Sequence, residues 1–253
     1  MRLIALVLRC VALSSTSKQR IRRPAALVTG ASRGIGRSIA LRLADMGYNL
    51  FLLARNETAL KDVAAEVQAL GCSADYLAGE LTVGGYIGEA LAAAVQAFGP
   101  VNVLVNNAGG AKQQAVQDAD VEAWNQLMDL NFNSIVALCR GVLPSMIEAQ
   151  QGTVINISSI SGRSTNAGSG IYCATKHALN GFTECMYEDV RDYGIKISTI
   201  MPGFVSTDLT AGLGMDSQRM ISPDDIADAV AYILQASPSV CPTEIVLRPQ
   251  FRP

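Results

Sequence analysis

A regular alternation of short apolar runs with longer segments of helical periodicity constrains the fold of this chain more than any other feature. Strands that are joined through helices lie parallel, because each crossover returns the chain to the same edge of the sheet. We therefore predict an α/β fold, with a doubly wound parallel seven-stranded sheet in a single domain. The predicted strands are residues 25–29, 49–53, 74–78, 101–105, 152–157, 196–200 and 244–247. The predicted helices are residues 38–46, 57–70, 87–98, 121–148 and 172–193, with one more that opens at residue 223.

A glycine-rich turn follows the first predicted strand and contains Gly30, Gly34 and Gly36. At this spacing the first glycine suits a tight turn, the second lets the backbone approach a pyrophosphate, and the third lets the helix pack closely on the strand. The phosphates would face the N-terminus of the next helix, where unpaired N–H groups and the helix dipole attract negative charge. Similar patterns occur in ordinary loops, but the place between a buried strand and a helix indicates nucleotide binding.

The end of the second predicted strand carries a basic residue where many dinucleotide sites carry an acid. Sites for NAD usually place an acid about 20 residues after the glycines, where it holds the ribose hydroxyls. Here that position is Ala54, which is followed by Arg55. A guanidinium binds a 2′-phosphate through charge-assisted hydrogen bonds, and Arg33 in the glycine turn can contribute a second one. We therefore predict NADP(H) as the cofactor. The alternative is that Arg55 only solvates the start of the following helix.

Tyr172 and Lys176 lie four residues apart near the start of a predicted helix, so their side chains share one helix face. A free tyrosine titrates near pH ~10, and a neighbouring cation favours the phenolate and lowers the pKa. We predict that Lys176 lowers the pKa of Tyr172 and that the pair works as an acid/base. A tyrosine and a lysine one turn apart also occur together by chance, so the surrounding motifs have to support this interpretation.

Two polar segments, residues 106–109 and 158–159, follow directly on predicted strands. Parallel sheets bind ligands beyond the carboxyl ends of their strands, so we expect both segments at the site. Asn131 differs from them, because it lies in the largely apolar middle of the predicted helix 121–148. It is either a solvated or capping residue or a member of the site.

Taken together, these segments resemble the short-chain dehydrogenase/reductase family over residues 24–249. In chain order the matching pieces are Thr29-Gly30-x-x-x-Gly34-x-Gly36, Asn106-Asn107-Ala108-Gly109, Asn131, Ser159, Tyr172-x-x-x-Lys176 and Pro202-Gly203. The resemblance implies a Rossmann fold and an NADP(H)-dependent oxidoreductase that interconverts a carbonyl and a secondary alcohol by hydride transfer. The gap between Tyr172 and Lys176 differs from that of the enoyl-reductase branch, and the short C-terminal region differs from the extended branch that acts on nucleotide sugars.

The resemblance also implies a role for each residue of the catalytic set. Tyr172 would donate a proton to the substrate carbonyl oxygen and take one back in the reverse direction. Lys176 would lower the pKa of Tyr172 and hydrogen-bond the nicotinamide ribose, while Ser159 would hold and polarise the carbonyl oxygen. Asn131 would position a water that supplies protons to Lys176.

Cofactor contacts are implied along the carboxyl edge of the sheet. Thr207 matches the position that contacts the nicotinamide carboxamide. Glu80-Leu81 stands where the family usually has Asp before the apolar residue, so the adenine contact comes from a side chain one methylene longer. The implied cofactor-binding residues are Gly30, Ser32, Arg33, Gly34, Ile35, Gly36, Arg55, Glu80, Leu81, Asn107, Ala108, Gly109, Tyr172, Lys176, Pro202, Gly203, Val205 and Thr207.

The substrate is narrowed only to a class. Residues 242–253 lack the Gly-Gly ending of many 3-oxoacyl carrier-protein reductases and look more like the subgroup that acts on small hydroxy acids. We therefore expect a 3-oxoacyl or small 3-hydroxy acid compound. Residues 204–220 are polar, contain glycine and lack strong periodicity, which is typical of a substrate lid.

The net charge and the spacing of the cysteines limit the classes of binding partner that we expect. A net charge of −2 gives no electrostatic reason to expect nucleic acid. The six cysteines lack CxxC or CxH spacing, so we expect neither a metal site nor a disulfide framework. The expected partner is a small carbonyl or alcohol substrate. The predicted helices 121–148 and 171–193 resemble those that form the family's subunit interface, which implies a homodimer or homotetramer.

Residues 1–24 form an extension ahead of the predicted catalytic domain, residues 25–253. The extension carries six basic residues, and the chain has no acid before Asp45, a composition that resembles a mitochondrial transit segment. Its apolar run, residues 3–13, resembles part of a signal peptide, but Arg9 interrupts it and it is too short to span a membrane. A dispensable extension is the third interpretation, so cytoplasmic and mitochondrial locations are both compatible with the sequence.

A redox sensor that binds NADP(H) without turnover is the competing function. The combined presence of Asn131, Ser159, Tyr172 and Lys176 argues against it. A protein that only binds the cofactor has no use for a proton relay.

Overall fold

The computed structural model describes residues 23–253. The predicted extension, residues 1–24, therefore lies almost wholly outside the described residues. The boundary predicted at residue 25 coincides with the start of the first strand.

Strands and helices alternate through the described residues as predicted. The strands are β1 (Ala25–Thr29), β2 (Asn49–Ala54), β3 (Ala74–Ala78), β4 (Val101–Asn106), β5 (Gly152–Ile157), β6 (Ile195–Pro202) and β7 (Glu244–Leu247). The α-helices are α1 (Gly34–Asp45), α2 (Glu57–Ala69), α3 (Tyr86–Phe98), α4 (Val121–Met128), α5 (Ser134–Ala149), α6 (Gly170–Val190) and α7 (Pro223–Gln235).

The sheet has seven parallel strands in the order β3-β2-β1-β4-β5-β6-β7. All residues of β1 and β5 are buried, which agrees with their nearly continuous apolar sequences. The chain winds outward from β1 to β3 and then returns to place β4 beside β1. This reversal opens a crevice at the carboxyl ends of β1 and β4, which is the usual ligand site of doubly wound sheets.

Helices cover both faces of the sheet and form two apolar cores. On one face, α1, α2 and α7 bury residues such as Leu43, Leu60 and Val230 against the sheet. On the other face, α3, α5 and α6 bury residues such as Leu138 and Leu179. The predicted single-domain α/β architecture is confirmed.

The predicted helix 121–148 is interrupted. Residues Asp129–Asn133 form a wider π-helical turn between α4 and α5, and Asn131 lies within it. Its side chain is fully buried, so the interpretation of Asn131 as a solvated residue is wrong. Such turns displace side chains from the regular helical register and are frequent at functional sites.

By length and composition alone, one helical segment among the described residues, Val121–Ala149, could cross a membrane; its most apolar stretch has a mean hydropathy of 1.3. Core helices of soluble proteins have the same properties. Ile135, Leu138 and Val142 of this segment pack into the apolar core on one face of the sheet. We therefore interpret the segment as a core helix.

Candidate active site

The glycine turn between β1 and α1 has no room for side chains at two of its three glycines. Gly30 has φ of +64°, and a Cβ there would lie 2.9 Å from Asn107 Nδ2 and 3.0 Å from the Cα of Ala108. A Cβ on Gly36 would lie 2.1 Å from the carbonyl oxygen of Gly30. The turn is therefore drawn tightly against the end of β4, and its backbone borders the crevice.

The third glycine brings a distant part of the chain to the turn. Gly34 has φ of +52°, and a Cβ there would lie 3.3 Å from Cγ2 of Thr207. Helix α1 begins at Gly34, and the side chain of the preceding Arg33 does not cap it. The first N–H groups of a helix have no partner within that helix, so they are suited to bind an anion.

Thr29 joins the ends of β1 and β4. Its Oγ1 accepts hydrogen bonds from the backbone N–H groups of Asn107 (3.0 Å) and Ala108 (2.9 Å). Asn107 Nδ2 in turn donates to the carbonyl of Thr29 at 2.9 Å. These bonds fix residues 107–109 beside the glycine turn, as the topology predicts.

Tyr172 and Lys176 occupy the first two turns of α6 and face the end of β5. Lys176 Nζ lies 5.9 Å from the centroid of the Tyr172 ring and donates to the carbonyl of Ile157 at 3.0 Å. Ser159 follows β5, and its hydroxyl lies close enough to the Tyr172 phenol to act on the phenol's pKa. The structure thus brings a hydroxyl, a phenol and an amine together at one point of the crevice.

Burial raises the pKa of Tyr172 above its ordinary value, and the hydrogen bond with Ser159 acts in the opposite direction. A net lowering of the Tyr172 pKa, as expected from the neighbouring Lys176, is therefore not found for the protein alone, because burial outweighs the groups around the phenol. Burial also lowers the pKa of Lys176 to about 8, because a charged ammonium is disfavoured in an apolar environment. Removal from water is thus the largest influence on the pKa of both Tyr172 and Lys176.

The family model described as short chain dehydrogenase matches residues 24–218. The chain belongs to this family.

Known proteins of similar sequence and structure extend over nearly the whole described chain. An uncharacterized oxidoreductase of Staphylococcus epidermidis is 32% identical over 230 residues, which cover 91% of this chain and 99% of that protein. A metagenomic short-chain oxidoreductase solved in complex with NADP shares 32% identity with a TM-score of 0.80, covering 90% of this chain and 98% of the other. An actinorhodin polyketide ketoreductase solved with NADPH shares 28% identity with a TM-score of 0.83, covering 90% and 96%. The present chain is an oxidoreductase of the short-chain dehydrogenase family.

Asn131 contributes to this short-chain dehydrogenase site by holding two segments together. Its Oδ1 accepts from the N–H of Gly110 at 2.9 Å, while its Nδ2 donates to the Gly110 carbonyl at 2.9 Å and to Thr175 Oγ1 at 3.1 Å. A Cβ on Gly109 would lie 3.2 Å from Asn131 Oδ1 and 3.8 Å from Lys176 Nζ. The side chain of Asn131 thus ties the segment after β4 to α6, and its predicted role toward a water stays a prediction.

The two arginines predicted to read a 2′-phosphate lie near the crevice, and each contacts an acid. Arg55 follows β2 and its Nη1 lies 3.5 Å from Oε2 of Glu80. Arg33 Nη1 lies 2.6 Å from Oδ2 of Asp208. All these side chains reach solvent, so the ion pairs are weak and the guanidinium groups are accessible.

The remaining predicted cofactor residues lie at the ends of strands or in the glycine turn. Ser32 and Ile35 are half-buried in or beside the turn, and Leu81 is buried after β3. Pro202 ends β6, and Gly203 donates its N–H to the carbonyl of Leu247 at 2.8 Å. Val205 is buried and leads into the predicted lid segment, residues 204–220.

Sequence reasoning assigned no separate role to a buried polar pair beneath the site. Asn106 Nδ2 donates to Asn156 Oδ1 at 2.8 Å, and Asn156 Nδ2 donates to Thr183 Oγ1 at 2.8 Å. The pair joins the last residue of β4 to β5, just before the segments that carry Asn107 and Ser159. Asparagines in otherwise apolar strands are the sequence signal that indicates such a link.

Gln114 was also missed. Its Oε1 accepts hydrogen bonds from Trp124 Nε1 and from the N–H of Asp120, both at 3.1 Å. Its own N–H donates to the carbonyl of Gly168 at 2.7 Å. Gln114 therefore connects the segment after β4 to the loop that precedes Tyr172, but a glutamine in a polar loop forms no recognisable pattern.

Proposed function

We propose that this protein is an NADP(H)-dependent oxidoreductase that interconverts a carbonyl group and a secondary alcohol, with Tyr172 as the acid/base. The observation that carries the proposal is the convergence of Ser159, Tyr172 and Lys176 at the crevice beside the glycine turn. A hydroxyl, a phenol and a buried amine that lie near one another are suited to move one proton to or from a substrate oxygen.

The Tyr172 phenol, whose pKa is raised by burial, is protonated at neutral pH and therefore holds a proton that it can transfer to a carbonyl oxygen. NADPH, when bound, supplies the hydride that adds to the carbonyl carbon and leaves oxidised NADP⁺. The carbonyl becomes an alcohol as Tyr172 gives up its proton and becomes a phenolate. Ser159 holds the substrate oxygen, and the charge of Lys176 stabilises the phenolate.

The choice of NADP(H) rests on the cationic groups around the crevice. Arg55 and Arg33 present accessible guanidinium groups, and the position of the usual ribose-binding acid is Ala54. The glycine turn leads into the N-terminus of α1, which no side chain caps, so the residues present fit the pyrophosphate of a dinucleotide. The similar metagenomic oxidoreductase and polyketide ketoreductase were solved with NADP and NADPH, which supports the same choice here.

The proposed substrate is a 3-oxoacyl or small 3-hydroxy acid compound. A cavity of about 440 Å³ lies along the lid segment, and Thr207, Thr210, Met215 and Met220 are among its lining residues. The lining combines hydroxyl and thioether groups with the carboxylate of Asp208, which is paired with Arg33, and so suits a short chain with one polar end. We further propose that residues 25–253 act as one catalytic domain in a homodimer or homotetramer, which sedimentation equilibrium tests directly.

Turnover of NADPH tests the proposed function. Absorbance of NADPH is followed with a panel of ketones, β-keto esters and quinones, using the wild type and Tyr172→Phe. We expect oxidation by at least one carbonyl compound with the wild type and a rate lower by about 10²- to 10⁴-fold with the variant, while both bind NADPH equally. Tight NADPH binding without turnover of any compound would instead favour the redox sensor.

A further inference from the structure

Asn180 continues the row of side chains that contains Tyr172 and Lys176. The three residues follow one another at intervals of four on α6, so they share one helix face. Asn180 lies one turn further along the helix than Lys176 and is half-buried. Nothing in the proposed proton transfer uses it, although it directly contacts the segment that carries Ser159.

The carboxamide of Asn180 makes one bond to each end of that segment. Its Oδ1 accepts from Ser158 Oγ at 2.6 Å, and its Nδ2 donates to the carbonyl of Gly162 at 3.1 Å. Nδ2 also lies 3.4 Å from the sulfur of Met201. Ser159 lies between the two bonded residues, so one side chain of α6 restrains the segment on both sides of it, through the hydroxyl of Ser158 and the backbone of Gly162.

The segment is pressed so closely to α6 that its geometry depends on this contact. A Cβ on Gly162 would lie 2.5 Å from Asn180 Nδ2 and 2.8 Å from the carbonyl of Lys176. Within the segment, the N–H of Gly162 donates to the carbonyl of Ser159 at 2.9 Å, and Ser159 Oγ accepts from the N–H of Ser161 at 3.1 Å. A tight turn held at both ends leaves the Ser159 side chain little freedom.

We propose that Asn180 is a positioning residue that sets the place of the Ser159 hydroxyl relative to the Tyr172 phenol. The inference rests on the proposed function, because it assumes that Ser159 and Tyr172 act together on the substrate oxygen. Tyr172 and Asn180 come from the same helix, and each contacts the Ser158–Gly162 segment. Because α6 contacts the segment through both residues, the distance between the Ser159 hydroxyl and the Tyr172 phenol is restrained.

A carboxamide is the side chain that this position requires. It has to accept a hydrogen bond from a hydroxyl and donate one to a carbonyl at the same time. Asn180→Leu has a similar size and can do neither. Asn180→Asp can accept from Ser158 but places a carboxylate against the Gly162 carbonyl.

The experiment compares Asn180→Leu, Asn180→Asp and Ser158→Ala with the wild type. Glu184→Gln, an exposed change one turn further along α6, is the matched control. We expect kcat for carbonyl reduction to fall roughly 10- to 100-fold in the Asn180 variants, since small misplacements of catalytic groups have effects of this order. The dissociation constant of NADPH and the kinetics of the control are expected to stay within about twofold of the wild type.

A second measurement is independent of turnover. The ¹³Cζ resonance of Tyr172, assigned with Tyr172→Phe, reports on the hydrogen bond to its phenol at neutral pH. We expect the Asn180 variants to move this resonance toward its position in Ser159→Ala, while Glu184→Gln leaves it in place. A folded Asn180→Leu protein with an unchanged Tyr172 resonance overturns the inference, whether or not the wild type turns over a substrate.

The same spectrum separates this inference from the proposed function. If the wild type reduces no carbonyl but the resonance moves as expected, the positioning role stands and the reaction assignment fails. If Asn180→Leu does not fold, Ser158→Ala carries the test, because it removes one hydroxyl and leaves the helix intact. An unchanged resonance in Ser158→Ala then counts against the inference.

Discussion

The glycine turn and the lid segment border the same crevice, yet they are held by different kinds of contact. The turn is locked by Thr29 and Asn107, and its glycines touch neighbouring backbone. The lid is closed at its base by a bridge between Val205 and Ile221, but beyond that base it consists of turns, irregular backbone and one short 3-10 helix, Ser217–Arg219.

Exposure separates the two regions further. In the lid, Leu209 and Leu213 are 57% and 41% exposed, whereas apolar side chains around β1 are buried. Regions with few buried contacts open at low free-energy cost, while tightly packed regions do not. The cofactor side of the crevice is therefore preorganised, and the substrate side is free to adapt to the molecule that it covers.

The largest effect is expected on the preorganised side. Tyr172→Phe deletes only the hydroxyl that transfers the proton, so we expect kcat to fall about 10²- to 10⁴-fold. Binding of NADPH, measured by fluorescence titration, should not change. Near-wild-type turnover would remove Tyr172 from the mechanism.

A change of cofactor preference is the next largest effect. Arg55→Asp replaces the proposed 2′-phosphate ligand by a repelling charge, and charged hydrogen bonds contribute about 1.5–3 kcal/mol. We expect the ratio of kcat/KM for NADPH over NADH to fall at least about 10-fold. Arg191→Asp, an exposed change at the end of α6, is the matched control. An unchanged ratio in Arg55→Asp would show that this arginine does not read the phosphate.

A pair of glycine substitutions tests whether the glycine turn is packed more tightly than the lid segment. Gly36→Ala places a Cβ 2.1 Å from a backbone oxygen, so we expect the free energy of unfolding to fall by about 1–3 kcal/mol. Gly212→Ala in the lid meets no heavy atom within 4 Å, and we expect a change within about 0.5 kcal/mol. Urea denaturation measures both. Equal effects would mean that the lid is as tightly packed as the turn.

The pH dependence of reduction should follow Lys176. Its pKa is lowered to about 8, so it is charged below that pH and neutral above it, whereas the raised pKa of Tyr172 keeps the phenol protonated. We expect kcat for carbonyl reduction to fall several-fold as the pH rises through about 8, in a profile measured with saturating NADPH. A rate that is constant up to pH ~10 would show that the charge of Lys176 is not needed.

The smallest effect is expected where the two regions touch. Asp208→Asn breaks the ion pair with Arg33, and both side chains are largely exposed. Exposed pairs contribute about 0–1 kcal/mol, so thermal stability should scarcely change. If Arg33 binds the 2′-phosphate, its release from Asp208 should lower the dissociation constant of NADPH a few-fold. No change in that constant would indicate that the ion pair does not compete with the cofactor.

Much of the fold follows from local patterns. The predicted bounds of β1, β3, β5 and β7 agree with the structure. Helix α1 begins at Gly34, four residues before the predicted start, because the glycines that mark a loop in sequence take part in the first turn of the helix. The interruption at Asn131 could not be predicted, because its partners Gly110 and Thr175 are distant in sequence.

The sequence alone determined the fold class and the edge of the sheet at which the proposed catalytic residues lie. Strand and helix periodicities, together with the parallel topology that they require, bring Ser159, Tyr172 and the glycine turn to a common crevice. Only the tertiary structure decided how these groups ionise, since burial raises the pKa of Tyr172 and lowers that of Lys176. It also decided what holds them in place, as in the contacts of Asn180. The pKa shifts and the positioning contacts both depend on solvent exclusion and on residues far apart in the chain. Neither can be recognised from the periodicity of the sequence.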